Sequence, residues 1–131
     1  GVASQVMEAT GGEGAAVVFD MLGAKALGDN MSALRLEGSV VIIGLLTGAK
    51  SDINLGQLLM RRLRVRAMTM RAQPLEERIR IAQIFSDRLA PLFESGQLKP
   101  VLSLKHPFND APGAHAAMAA NRHLGKIVLE L

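Results

Sequence analysis

The chain has 131 residues, enough for one modest domain, and 49% of them are hydrophobic, which excludes a disordered chain. The absence of cysteine excludes disulfides and thiolate metal sites and fits a reducing cytosol, so we expect a cytoplasmic protein. The formal net charge is only +3, no stacking aromatics lie among the arginines, and no apolar run is long enough to cross a bilayer. We therefore expect neither a nucleic-acid partner nor a membrane partner.

The first third of the chain alternates helix and strand. Val2 to Thr10 is predicted to be a short helix that stops at Gly11. The continuous apolar run Ala15 to Asp20 indicates a buried strand. Apolar residues at spacings of four and three then predict a helix over Ala24 to Leu36, ended by Gly38, which also opens the next strand.

The run from Gly38 to Gly48 is the most informative stretch of the sequence. Its β-branched residues follow one another without polar alternation, so the strand is expected to be covered on both faces, as inner strands of parallel sheets are. Ligands of open α/β sheets bind beyond the carboxyl ends of the strands. We therefore expect any ligand site to include Gly44 and Leu45.

The middle of the chain continues the alternation. Asn54 is the predicted N-cap of a helix over Leu55 to Arg62. Leu63 to Met70 alternates arginine with apolar residues, which is typical of a strand at a sheet edge. A helix is predicted over Leu75 to Glu94, divided by Pro91.

The last part predicts a strand, a helix and a strand. The segments are Val101 to Leu104, a helix from its cap Asp110 to about Asn121, and Gly125 to Leu131. Strands that alternate with helices predict an α/β fold with a parallel sheet.

Motifs that carry chemistry are missing from the sequence. There is no Gly-x-Gly-x-x-Gly loop, no Walker loop and no Ser/His/Asp signature. His106, His115 and His123 lack the spacing of metal ligands and have no carboxylate company in the sequence pattern, so no metal site is expected. The motifs alone indicate a parallel α/β domain whose ligand end is marked by glycines.

Four segments, taken in order, resemble the medium-chain dehydrogenase/reductase superfamily. Val17–Gly23 and Gly38–Gly44 resemble two strands of its cofactor domain, and Leu63–Arg71 is similar to the next strand in the zinc-independent quinone oxidoreductase branch. Ala120–Leu129 is similar to the carboxyl terminus of that branch. Each segment is a weak signal alone, but the four together cover nearly the whole chain.

The resemblance implies a carboxyl-terminal fragment of such an enzyme. The fold would be the second half of a Rossmann-type parallel sheet, with strands resembling the fourth, fifth and sixth of the family and a short strand–helix–strand return segment. Residues 1–100 would form the carboxyl-terminal half of the cofactor-binding domain, and residues 101–131 would return to the substrate domain. The glycine-rich phosphate loop would then lie upstream of Gly1.

The resemblance also implies ten cofactor contacts and no catalytic acid, base or metal ligand. The adenosine side would be approached by Gly23 and Ala24, and the nicotinamide ribose would lie beside Ile43, Gly44 and Leu45. The carboxamide edge would contact Thr69, Met70 and Arg71. The two residues that would close over the cofactor are Asn121 and Lys126.

The implied activity is hydride transfer from NADPH, with NADH possible, to a quinone or a similar carbonyl or enone substrate. The fragment itself is expected to be inactive, and to form a homodimer or higher oligomer through Leu63 to Met70, with an exposed apolar edge at Ala15 to Asp20. The absent phosphate loop keeps an alternative open, namely a standalone α/β binding or scaffold module without catalysis.

Overall fold

The computed structural model describes all residues from 1 to 131, and they form two compact units, Gly1–Gln73 and Pro74–Leu131. Each unit contains its own parallel sheet. None of the helices combines the length and the apolar character needed to cross a membrane.

The first unit is a three-stranded parallel sheet with helices in its connections. Its strands lie in the order β1-β2-β3, so β1 and β3 are the two edges, as the sequence predicted for both. Its elements in chain order are α1 (Val2–Ala9), β1 (Ala15–Asp20), α2 (Leu27–Ala33), β2 (Leu34–Ile42), α3 (Leu55–Met60) and β3 (Arg64–Ala67).

The core of this unit lies on one face of the sheet. Its buried residues come from α2, from β2 and from the residue that precedes β3, and they are Leu27, Met31, Leu34, Val40 and Leu63. The expectation that Ala15 to Asp20 is a buried strand is wrong for this chain, because Phe19 remains 66% exposed and Val17 48% exposed on β1. On β2, Val40 is buried but Val41 and Ile42 are only half-buried, so the expected cover on both faces is incomplete there. Successive residues of a strand point to opposite faces, so a single helical layer covers only every second residue.

The beginning of β2 differs from the predicted one. The helix ends at Ala33 rather than near Leu36, and Leu34 is already extended, with φ −73° and ψ 152°. Ala15 pairs with Leu34 while Val17 pairs with Ser39, so β2 bulges between these two pairs. Gly38 lies inside this bulge, where a Cβ would come within 2.9 Å of the Arg35 carbonyl oxygen. Gly38 therefore permits a close backbone approach and does not mark a helix end.

Two caps in this unit depend on polar side chains. The Asn54 side chain accepts a hydrogen bond from the Gln57 amide at 3.0 Å, which confirms the predicted N-cap of α3. Arg61 donates from Nη1 to the Met31 carbonyl at 3.3 Å and from Nη2 to the Leu34 carbonyl. A cation thus satisfies carbonyls at the carboxyl end of α2, where the helix dipole favours positive charge.

The second unit contains a two-stranded parallel sheet with helices around its strands. Its elements are α4 (Leu75–Arg88), α5 (Ala90–Glu94), β4 (Leu102–Pro107), a 3-10 turn (Phe108–Asp110), α6 (Ala111–Ala119) and β5 (Lys126–Glu130), and β4 pairs with β5. Pro91 lies in the first turn of α5, which confirms that it divides the predicted long helix. Asp110 caps α6 by accepting from the Gly113 amide at 3.2 Å, as predicted.

The two units divide the chain between Gln73 and Pro74. The sequence-based division at residue 100 assigns segments to the cofactor and substrate domains of a longer enzyme, and this assignment stays a prediction.

Candidate functional site

The carboxyl ends of β2 and β3 border a cavity of about 730 Å³. The strands run parallel, so the loops that follow them lie at the same edge of the sheet. The cavity is lined by Ile42, Ile43, Gly44, Leu45, Ala67, Met68, Thr69, Arg71 and Gln73. A cavity at this position is where an α/β sheet is expected to bind a ligand.

Half of the predicted site residues meet around this cavity. They come from two loops separated by more than twenty positions, and they are Ile43, Gly44, Leu45, Thr69 and Arg71. Arg71 is the only charged residue of the lining, and its guanidinium forms no ion pair in the chain. The lining thus combines apolar side chains and backbone with one free cation, a combination that suits a ligand with a flat apolar part and an anionic part.

Gly23 and Ala24 do not line the cavity but contact the loop after β2. A Cβ on Gly23 would come within 2.9 Å of both the Gly48 carbonyl oxygen and the Leu45 side chain, and Gly23 has a φ of +79°. The Ala24 amide donates to the Gly48 carbonyl at 3.1 Å. The loop after β1 therefore packs against the loop after β2 through residues that do not line the cavity.

Gly44 itself packs closely against the loop after β1. A Cβ at this position would lie 2.8 Å from the Met21 carbonyl oxygen. The glycine is therefore required by contact with backbone, in addition to any role toward a ligand.

The other three predicted residues lie elsewhere. Met70 lies between Thr69 and Arg71 but does not line the cavity, and its carbonyl accepts from the Gln73 amide at 3.3 Å. Asn121 and Lys126 belong to the second unit. Asn121 follows α6 with a φ of +50°, and the Lys126 amide donates to the Val101 carbonyl at 2.8 Å where β5 begins.

A buried aspartate, Asp20, organises the loop after β1. It is 2% exposed, and its Oδ1 accepts from the amides of Leu22 at 2.8 Å and of Gly23 at 2.9 Å. The second oxygen, Oδ2, is buried and has no hydrogen-bond partner in the chain. Asp20 is not among the site residues predicted from the sequence. The sequence did contain a signal, because an aspartate followed three residues later by glycine after an apolar strand is a known turn pattern.

The amino end of the same sheet carries a second, polar cavity of about 420 Å³, lined by Glu13, Arg35, Leu36, Glu37 and Arg64. Its acidic and basic groups are largely paired. Arg35 contacts Glu13 at 3.3 Å, and Arg62 donates to Glu37 at 2.8 Å. The hydrogen bond from Arg62, with the attraction of its charge, lowers the pKa of Glu37 below its ordinary value.

One histidine has a carboxylate partner that the sequence analysis missed. His106 Nδ1 lies 2.9 Å from Asp110 Oδ2, so the expectation that the histidines lack carboxylate company is wrong for His106. This hydrogen bond lowers the pKa of Asp110, and the Gly113 amide adds to the effect. The pair fixes the start of α6, because the same carboxylate is the N-cap.

A model of the zinc-binding dehydrogenase family matches residues 2–129, which is nearly the whole chain. The chain belongs to this family. Its two sheets are parallel and its connections are helical, as in the carboxyl-terminal Rossmann portion of medium-chain dehydrogenases/reductases, so the predicted superfamily and fold class are confirmed. No curated protein sequence gives a significant match.

Solved structures with the same fold include dehydrogenases and reductases. An NAD-dependent alcohol dehydrogenase is 27% identical with a TM-score of 0.76, and the match covers 98% of this chain and 35% of that one. A quinone oxidoreductase from Pseudomonas syringae pv. Tomato DC3000 is 27% identical with a TM-score of 0.77, covering 99% and 40%. A mycobacterial protein complexed with NADPH is 26% identical with a TM-score of 0.72, covering 98% and 40%. The chain therefore spans about two fifths or less of the length of these relatives.

The family is named for zinc, but the residues of this chain do not fit a zinc site. There is no cysteine, and no group of three or more histidine, aspartate or glutamate side chains is placed to hold a metal ion. Structural zinc needs four such ligands and catalytic zinc three.

Proposed function

We propose that the chain is part of an NAD(P)H-dependent oxidoreductase of the quinone reductase type, which transfers a hydride to a quinone or a similar carbonyl or enone. The observation that carries the proposal is the meeting of Ile43, Gly44, Leu45, Thr69 and Arg71 around one cavity at the carboxyl edge of the sheet. Membership of a dehydrogenase family, and likeness to a quinone oxidoreductase and to an NADPH complex, support it.

The cavity has features that fit the nicotinamide half of the cofactor. Gly44 brings backbone to its wall, and Ile43 and Leu45 supply an apolar surface that excludes water from a bound ring. Arg71 supplies a cation that can pair with a phosphate group. When bound, the dinucleotide supplies the hydride.

The chain's own contribution is binding and orientation. No side chain in the lining other than Arg71 is charged, so no residue there can act as a carboxylate or imidazole acid or base. We propose NADPH as the cofactor, because a structural relative of this chain is complexed with NADPH. NADH is the alternative, because Arg71 can meet a phosphate common to both. Gly23 and Ala24 act indirectly, by supporting the segment Ile43–Leu45 that lines the cavity. Met70 would contact the cofactor through its backbone.

The division of the chain between two domains of the whole enzyme is part of the same proposal. Residues 1–100 belong to the cofactor-binding domain and residues 101–131 return to the substrate domain of the whole enzyme. We propose Asn121 and Lys126 as further cofactor contacts of the whole enzyme.

We also propose that the protein is cytoplasmic and forms a homodimer or higher oligomer through β3. All four residues of Arg64–Ala67 are exposed, and β3 is a sheet edge with unpaired backbone groups. Light scattering at rising concentration tests the assembly. A mass that stays at one chain at the highest concentration would contradict it.

The activity is tested on the chain joined to its upstream coding sequence. We expect NADPH oxidation that depends on an added quinone, measured by the loss of nicotinamide absorbance, and no turnover by residues 1–131 alone. A longer protein that binds no NADPH would refute the proposal and favour a scaffold module.

The 131-residue chain should bind NADPH much more weakly than the longer protein, and micromolar affinity for the chain alone would show that the contact assignment is wrong.

A further inference from the structure

We propose that Asp20 and Thr47 are positioning residues that fix the cavity wall Ile43–Leu45 for the nicotinamide half of the nucleotide, an inference that rests on the proposed function. Neither residue lines the cavity. Both lie where the end of β1 and its following loop (residues 20–25) contact the loop after β2 (residues 43–48), which we call the loop contact.

Asp20 connects the loops through both its side chain and its backbone. Its carboxylate holds the amides of Leu22 and Gly23, and its carbonyl accepts from the amides of Ile43 at 2.7 Å and of Gly44 at 3.3 Å. One buried residue therefore fixes the turn after β1 and the first two residues of the cavity wall.

Thr47 closes the loop contact at its other end. Its hydroxyl donates to the Leu22 carbonyl at 2.9 Å and accepts from the Lys25 amide at 3.1 Å. Its own amide donates to the same Leu22 carbonyl at 2.7 Å. Leu45, which lines the cavity, is thus held between an anchor at Asp20 and an anchor at Thr47.

The cost of this arrangement argues for a role beyond folding. Asp20 keeps one carboxylate oxygen buried without a hydrogen bond, and such groups are unfavourable and rare in native proteins. Local rules of this kind are broken most often at functional sites. The two amide hydrogen bonds to the other oxygen, Oδ1, offset part of this cost and hold the turn after β1.

Thr47→Val tests the inference, since valine keeps the shape of threonine but lacks the hydroxyl. We expect faster amide hydrogen exchange at Lys25 and Gly44, and a rise of about tenfold in the NADPH dissociation constant of the 131-residue chain, followed by NMR titration. Thr47→Ser keeps both hydrogen bonds and should return both measurements to near the wild-type values. Asp20→Asn keeps a weaker acceptor and should raise the dissociation constant about threefold.

Thr10→Val is the matched control. The Thr10 hydroxyl also donates to a backbone carbonyl, that of Val6 at 2.7 Å, and accepts from a backbone amide, that of Gly14 at 2.8 Å, but it precedes β1 at the opposite end of the sheet. This variant should lose stability comparably and keep wild-type NADPH affinity.

Wild-type affinity in both Thr47→Val and Asp20→Asn would overturn the inference. A wild-type chain whose Ile43–Leu45 signals do not respond to millimolar NADPH would instead refute the proposed function.

Discussion

The two ends of the three-stranded sheet carry cavities of opposite character. At the amino end, Arg35 and Glu37 are each paired with an opposite charge, and the cavity is polar. At the carboxyl end the lining is mostly apolar, and its single cation, Arg71, is unpaired. Charges that neutralise each other stabilise the fold, whereas an unpaired cation beside apolar surface is available to a ligand. We therefore propose a structural role for the amino end and ligand binding for the carboxyl end.

The largest difference between the two ends is expected from one glycine substitution at each end. A Cβ at Gly44 would approach the Met21 carbonyl oxygen to 2.8 Å, and one at Gly38 would approach the Arg35 carbonyl oxygen to 2.9 Å. Gly44→Ala and Gly38→Ala should therefore each lower the free energy of unfolding by about 1–3 kcal/mol. Only Gly44→Ala displaces the cavity wall, and it should weaken NADPH binding by up to about a hundredfold. Equal affinities of the two variants in NMR titration would contradict the comparison.

A smaller effect is expected from removing the free cation. Arg71→Ala should weaken NADPH binding about tenfold, because a charge-assisted contact with a phosphate is lost, and the wild-type affinity should fall with added salt. Arg64→Ala removes a cation from the amino-end cavity and should leave affinity unchanged. If both variants lost affinity equally, the effect would reflect net charge rather than a site.

At the amino end, arginine changes should alter stability without altering binding. Arg61→Ala removes the donors to the Met31 and Leu34 carbonyls, so the free energy of unfolding should fall by about 1–2 kcal/mol. Arg62→Ala loses only an exposed ion pair and should cost less. Urea denaturation of both variants measures the difference, and equal losses would show that Arg61 is not a helix cap.

The smallest effect concerns pH. The pKa of Glu37 is lowered in the folded chain by the Arg62 hydrogen bond and charge, so the unfolded chain binds this proton more readily. Its contribution to stability is therefore complete above the ordinary glutamate pKa and is lost as the pH falls through the lowered value. Glu37→Gln should flatten the acid part of the stability profile measured by denaturation at several pH values. An unchanged slope would mean that the pair contributes nothing.

Much of this fold follows from local sequence patterns. The uninterrupted apolar run of β1 gave its bounds correctly, and Asn54, Pro91 and Asp110 acted at the helix ends where their chemistry predicts. The start of β2 did not follow, because Leu34 continues the helical spacing of Leu27 and Met31 yet is extended in a bulge. Leu34 is extended because it pairs with Ala15 on β1, and no local sequence pattern predicts that pairing.

The candidate site was predictable where it depends on strand ends. Ile43, Gly44 and Leu45 follow one strand and Thr69 and Arg71 another, so the topology of a parallel sheet brings them together. Asp20 and Thr47 were not predicted because their role depends on hydrogen bonds between loops more than twenty residues apart. No periodicity or spacing in the sequence reports such a contact.

The central claim is that NADPH binds at the carboxyl end of this sheet. Titration of NADPH into the isotopically labelled 131-residue chain, followed through backbone amide signals, tests it most directly. We predict saturable shifts at Ile43, Gly44, Leu45 and Thr69, with unchanged signals at Glu13, Arg35 and Arg64. Shifts confined to the amino-end residues, or no shifts at millimolar NADPH, would contradict the account.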